Sequence, residues 1–263
     1  MKFNAILLDI AEGVATITLN RPDKLNSFTG EMHADLKQAM QIIQADRSVR
    51  VLMITGAGRG FCAGQDLSER MMGDGGETAD VGSSLEKNYN PLLKQLRALA
   101  FPVICAVNGV AAGAGCNLVL ACDIVIAAKS ASFIQAFSRI GLIPDAGGTY
   151  TLPRLVGTAR AMAAAMLAEK ISAEQAQQWG MIWKCVDDDR LTTEAAALAR
   201  RLAGQATRAL GLTKRAIYAS ANNTFDQQLD LECDLQREAG KSEDFREGVA
   251  AFKEKRQPTF TGR

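Results

Sequence analysis

Twice in this chain an apolar, strand-forming run breaks into a glycine- and alanine-rich turn and resumes as a helix-forming segment. VLMIT, residues 51–55, leads into GAGRGFCAGQDL, residues 56–67, and VICAV, residues 103–107, leads into NGVAAGAG and a helical stretch near 116–121. Strands separated by helices read as parallel crossover units, so the pattern confines the chain to the α/β class. Small residues leave the backbone N–H groups of such turns open to a ligand, and two donors aimed at one carbonyl oxygen make an oxyanion hole. Taken singly, each turn is equally well a tight strand-to-helix connection.

The flanks agree with this class. Residues 3–10 and 14–20 read as a hairpin around Glu12-Gly13, because Ala15, Ile17 and Leu19 alternate with Thr16, Thr18 and Asn20. Between Thr29 and Asp46, Met32, Leu36, Met40 and Ile43 fall at helical spacing, with Ser27 or Thr29 as the cap. A helix over 84–99 precedes VICAV, and DIVIAA, residues 123–128, forms another strand. From Ala159 onward the pattern is nearly all helical, which places a boundary near residue 200, with a core over 1–200 and a helical region over 201–263. GDGGETADVG, residues 73–82, has no apolar periodicity and reads as a mobile lid, with Met71 and Met72 closing over a substrate.

Composition removes several classes of function. Thirty Lys and Arg against 29 Asp and Glu leave a net charge of +1, so no strong field favours nucleic acid or a membrane surface. No apolar run approaches the roughly 20 residues that span a bilayer. The N-terminus lacks the features of a secretory signal, which places the protein in the cytoplasm. Six cysteines without a CxxC pair read as reduced structural thiols, with no metal site. His33 is the only histidine and lies on the first helix, which disfavours Ser-His chemistry; it reads as a surface or packing residue.

One carboxylate stands apart. Asp145, in GLIPDAGGT, is isolated among apolar and small residues. An acid in such surroundings is a candidate proton carrier, and burial against Phe137, Leu142 and Ile143 would raise its pKa. A turn or helix-cap aspartate is the alternative.

The ordered series NRPDKLNSF, GAGRGFCAGQDL, NGVAAGAG with CDIVIAA, and GLIPDAGGT resembles the enoyl-CoA hydratase/isomerase (crotonase) superfamily over nearly the whole chain. The resemblance implies an α/β fold of the crotonase (ClpP-like) type, a spiral of repeated ββα units with a helical C-terminal trimerisation region. It further implies an acyl-CoA thioester as substrate, and a homotrimer or dimer of trimers. CoA would enter as part of the substrate, with no separate cofactor. By this resemblance the N–H groups of Ala63 and Ala114 form the oxyanion hole. Ala114 stands where many relatives carry glycine and is tolerable only at negative φ. Lys24, Leu25, Gly64, Gln65, Asp66, Leu67, Gly113, Asn117, Phe137 and Pro144 would contact the substrate. Lys24, Lys253, Lys255 and Arg256 are candidates for the CoA phosphates, and for each a solvated surface position is the alternative. Asp66 is alternatively a helix cap.

Hydratases of this superfamily use two glutamates to activate water, and at those places this chain has Asn117 and Phe137. With both missing, Asp145 is left as the one carboxylate and acts as a proton shuttle, which implies an isomerase. The motifs AFSRIGLIPDAGGT, WGMIWKCVDD and DFREGVAAFKEKRQPTFTG resemble most closely the branch that isomerises a ring epoxide of an aromatic acyl-CoA. Alternatives are a Δ3,Δ2-enoyl-CoA isomerase or weak hydratase on linear acyl-CoAs, and a non-catalytic CoA-binding scaffold.

Overall fold

The computed structural model describes residues 3–70 and 80–263. The expected lid over 73–82, with Met71 and Met72, lies outside the described residues except for Asp80 to Gly82. Strands β1 (Ile6–Ala11) and β2 (Val14–Leu19) form the antiparallel hairpin. Glu12 and Gly13 make its two-residue turn with φ of 51° and 79°, the positive pair that matches strand twist. Helix α1 (Gly30–Ala45) starts at Thr29, whose side chain accepts from the Met32 N–H, and it buries Met32, Leu36, Met40 and Ile43. It carries the chain to β3 (Val51–Gly56), parallel to β2 with Val14 opposite Val51.

The chain continues through β4 (Gly60–Cys62), α2 (Leu67–Arg70), α3 (Val81–Ser84), α4 (Asn90–Ala98), β5 (Val103–Val107), β6 (Val110–Ala112) and α5 (Ala114–Leu120). Next come β7 (Ile124–Ala128), β8 (Ser132–Ile134), α6 (Gly148–Val156), α7 (Thr158–Leu167), β9 (Ile171–Ser172), α8 (Ala173–Gln178) and β10 (Lys184–Val186). Four helices follow: α9 (Leu191–Ala203), α10 (Thr207–Ser220), α11 (Phe225–Ala239) and α12 (Glu243–Glu254).

Two sheets result, one in the order β1-β2-β3-β5-β7-β10 and a smaller one in the order β4-β6-β8-β9. Each of β3, β5 and β7 is followed by a short strand in the smaller sheet, namely β4, β6 and β8. This is the strand-strand repeat of the expected spiral. The core lies along the larger sheet: all five residues of β5 are buried, and α9 packs against β3, β5 and β7. Strands this covered read as continuous apolar runs.

Three expectations change. The two glycine-rich turns each contain a three-residue strand, β4 and β6. The region after Ala159 is not wholly helical, since β9 pairs antiparallel with β8 and β10 joins β7. The helix expected over 84–99 begins at Val81 and carries a π-helical turn over Leu85–Tyr89. All six cysteines are free thiols, and burial pushes those of Cys62 and Cys116 up to about 12. No described helix is long and apolar enough to cross a membrane.

Candidate active site

The C-terminal ends of β4 and β6 lie side by side, with Cys62 opposite Ala111. Past β4 the chain runs alongside Phe28, whose N–H donates to the Gly64 carbonyl (2.8 Å) and whose carbonyl accepts from the Asp66 N–H (2.9 Å). Bonding on alternate residues turns the intervening Gln65 backbone to the opposite side, toward the cavity. The Ala63 N–H donates to the Leu25 carbonyl at 2.9 Å. The expectation that Ala63 supplies an oxyanion donor is therefore corrected: its amide is engaged within the protein. The Gln65 N–H, two residues on, has no protein acceptor among the described residues.

Ala114, the second expected donor, lines the same cavity. Ala114 opens α5, where an N–H has no carbonyl four residues back to bond. Its φ is not positive, so alanine is accommodated without strain. Gly64 brings the two donors together: it sits at φ +92°, and a Cβ there would fall 2.9 Å from the Ala112 carbonyl oxygen and 3.6 Å from the Ala114 nitrogen. The Gln65 side chain is tied at both ends, donating from Nε2 to the Phe28 carbonyl (3.1 Å) and accepting from the Tyr89 hydroxyl (2.7 Å).

These turns border a cavity of about 230 Å³, lined on one side by Gly64, Gln65 and Leu67 and on another by Gly113 and Ala114. Tyr89, Phe137, Leu142 and Asp145 close it. Asp145 is half-buried and is the one acidic residue among the described residues lining the cavity. It is not the cap of α6, whose N-cap is Gly147 without a side-chain bond. Phe137 and Leu142 form apolar walls as expected, whereas Ile143 is 78% exposed and does not.

Asn117 was expected to contact substrate, and the structure corrects this. It is fully buried behind the cavity wall, donating from Nδ2 to the Asp145 carbonyl (2.8 Å) and accepting from Gln135 Nε2 (2.8 Å). Lys24, Leu25 and Pro144 do not line the cavity either. Lys24 is exposed on the turn Pro22–Lys24, and Leu25 lies against Gly60. Asp66 is a brace: it accepts from the Ser68 hydroxyl (2.6 Å) and pairs with Arg21 (3.0 Å), which together hold its carboxyl down at about 2. Arg256 is committed to Glu247 and Glu254. His33 is a packing residue, stacked on Phe28 with centroids 5.1 Å apart and edge-on to Tyr89 at 4.4 Å. Burial pushes its pKa down to about 4, so it is neutral near pH 7.

Tyr89, Ala136, Arg139 and Ile140 also line the cavity and were not anticipated. The last three adjoin Phe137 in AFSRI, and a one-turn helix over Ala136–Ile140 would have found them. Tyr89 lies in no motif, and only the packing of its helix on Phe28 and His33 brings it in.

Larger cavities lie elsewhere among the described residues. One of about 650 Å³ between α4 and α10 is floored by a structural cluster, in which buried Lys214 pairs with Asp123 (2.9 Å) and the Tyr218 hydroxyl bonds the same carboxylate (2.6 Å). Another of about 770 Å³ lies among the C-terminal helices, between Phe245, Val249, Phe252 and Phe260. Neither of these two is bordered by the glycine-rich turns after β4 and β6.

The enoyl-CoA hydratase/isomerase family model matches residues 9–263. The chain is 57% identical over 258 residues to the 1,2-epoxyphenylacetyl-CoA isomerase of Escherichia coli K12, covering 98% of each protein. It is 34% identical to a trans-2-decenoyl-[acyl-carrier-protein] isomerase of Streptococcus mutans over the full length of both. Among solved structures, the enoyl-CoA hydratase of Bacillus anthracis superposes with a TM-score of 0.92 at 34% identity, covering 99% of this chain and 100% of that one.

Proposed function

Because the chain belongs to the enoyl-CoA hydratase/isomerase family, we propose that it isomerises a CoA thioester, converting ring 1,2-epoxyphenylacetyl-CoA to oxepin-CoA in aerobic phenylacetate catabolism. One observation carries the reading: the cavity bordered by the Gln65 and Ala114 N–H groups has Asp145 as its single acidic lining residue among those described. Hydration needs one group to activate water and another to deliver a proton. Asn117 and Phe137 occupy the places of the hydratase glutamates, and neither does either task.

In the proposed chemistry the thioester oxygen accepts from the Gln65 and Ala114 N–H groups, and the Asp145 carboxylate removes a proton from the carbon beside the thioester. The enolate charge falls on the oxygen between the two donors, each worth roughly 3 to 4 kcal/mol in such a hole. Asp145, now protonated, returns that proton to a ring carbon as the epoxide opens into the seven-membered ring. Every atom is retained, so the product is an isomer of the substrate. Phe137 and Leu142 exclude water from the transfer. No metal or redox step enters, and CoA is carried by the substrate.

The same reading makes 201–263 the trimerisation region of a homotrimer or dimer of trimers and places the protein in the cytoplasm. Incubating purified protein with enzymatically generated epoxyphenylacetyl-CoA, and separately with linear β,γ-enoyl-CoA and crotonyl-CoA, distinguishes the activities by product mass and ultraviolet spectrum. Turnover of the ring epoxide alone supports the reading; preferred turnover of a linear substrate moves it to a Δ3,Δ2-enoyl-CoA isomerase or hydratase. Tight binding with no conversion of any of them would make the protein a CoA-binding scaffold.

A further inference from the structure

We infer that Asn117 is a positioning residue for Asp145: its side-chain amide, oriented by Gln135, pins the Asp145 main chain and so fixes where the carboxylate points. This rests on the reading of Asp145 as the proton carrier. The place from which a catalytic glutamate is missing thus holds a residue with a different task.

The chemistry of the contact requires an amide. The Asp145 carbonyl can only accept, so the group facing it must donate, and Asn117 Nδ2 does so at 2.8 Å. The other end of the amide, Oδ1, accepts from Gln135 Nε2 at 2.8 Å, which fixes the rotation of the amide. Asn117 is 0% exposed and Gln135 1%, so water does not compete for these groups. A carboxylate at position 117 would face the Asp145 carbonyl without a proton to offer.

The pinned segment is one that needs holding. Ala146, directly after Asp145, has φ +47°, and Gly147 follows at +77°. A left-handed alanine is sterically disfavoured and persists only where its surroundings enforce it. Two donors converge on the Asp145 carbonyl, the Asn117 amide and the Gly148 N–H (2.8 Å). Gly148 also makes room for the pin: a Cβ there would lie 2.7 Å from Asn117 Cγ and Oδ1.

The geometry ties both halves of the site to one helix. Ala114 and Asn117 are three residues apart on α5, so the element that presents one oxyanion donor also holds the proton carrier. The distance from enolate oxygen to carboxylate is then set by a rigid turn of helix. Misplacement by about 1 Å can cost on the order of 100-fold in rate.

The test measures kcat, KM and melting temperature for Asn117→Ala, Asn117→Asp, Gly148→Ala, the double variant Asn117→Ala/Gly148→Ala, and Asp145→Asn, on whichever acyl-CoA the wild type isomerises. In every variant at positions 117 and 148 that retains the wild-type circular dichroism spectrum, kcat should fall about 10- to 100-fold with KM changed less than about 3-fold. The double variant should be no slower than the worse single one, because both break the same contact. Gly148→Ala adds one methyl group and removes no polar group, so it carries the test where Asn117→Ala does not fold. A lowered melting temperature with kcat within twofold of wild type, in any folded single variant at position 117 or 148, overturns the inference and leaves Asn117 a purely structural residue. Full turnover by Asp145→Asn instead overturns the proton-carrier reading itself.

Discussion

Replacing Ala114 by proline removes one of the two proposed oxyanion donors while leaving the helix start intact, because the first helical position tolerates proline. The expected outcome is a drop of about 100- to 1000-fold in kcat/KM with little change in melting temperature, read by steady-state kinetics and thermal unfolding. Turnover unchanged in the folded variant would remove Ala114 from the site. Side-chain replacements at Gln65 should matter far less, since its backbone is the acting group. At this scale the sequence was an uneven guide. Asp145, Ala114 and Phe137 were readable because motif position and chemistry coincide in them. In FCAGQDL the unengaged N–H is that of Gln65, two residues beyond Ala63, because the pairing of this segment with Leu25 and Phe28, about 40 residues earlier, decides which N–H is engaged. Asn117 was misread for a similar reason: helix spacing does not say whether a side chain faces the cavity or the loop behind it.

Helix α1 and the helices packed on it make the next scale testable. Thr29→Ala deletes the cap that accepts from Met32, and should lower stability by about 1 kcal/mol in urea unfolding without altering kcat. His33 on the same helix makes stability depend on pH. Its folded pKa, about 4, lies below the value of 6.5 for an unperturbed histidine, so the unfolded chain binds the extra proton between those values. Its contribution is fully present above pH 6.5 and is lost as pH falls toward 4, by roughly 3 kcal/mol at most. His33→Leu should flatten that part of the stability profile; an unchanged slope would show that His33 is not the group responsible. Long elements such as α1 and β2 were legible from apolar periodicity. The three-residue strands β4, β6, β8 and β10 were not, because two or three residues carry no period and their pairing is entirely with distant chain.

The whole molecule leaves large apolar side chains uncovered, among them Phe252 at 85%, Ile143 at 78%, Phe225 at 77% and Met166 at 68% exposed. Exposed apolar surface on this scale is normally covered by a partner. Light scattering should give a mass three or six times the 28.2 kDa of one chain; a monomer at micromolar concentration would contradict the proposed trimer. The spiral of two sheets follows from the repeated strand and turn pattern. The helices after α9 were expected from periodicity, but which of their faces stay uncovered was visible only once they were folded back on one another.

The central claim is that one carboxylate, Asp145, moves a proton within a CoA thioester without adding water. Mass spectrometry of the product formed from epoxyphenylacetyl-CoA tests it most directly, with wild-type protein and Asp145→Asn run side by side. The account predicts a wild-type product of the same mass as the substrate and a rate about 100- to 10,000-fold lower for Asp145→Asn. A product heavier by one water, or equal rates for the two proteins, would contradict it.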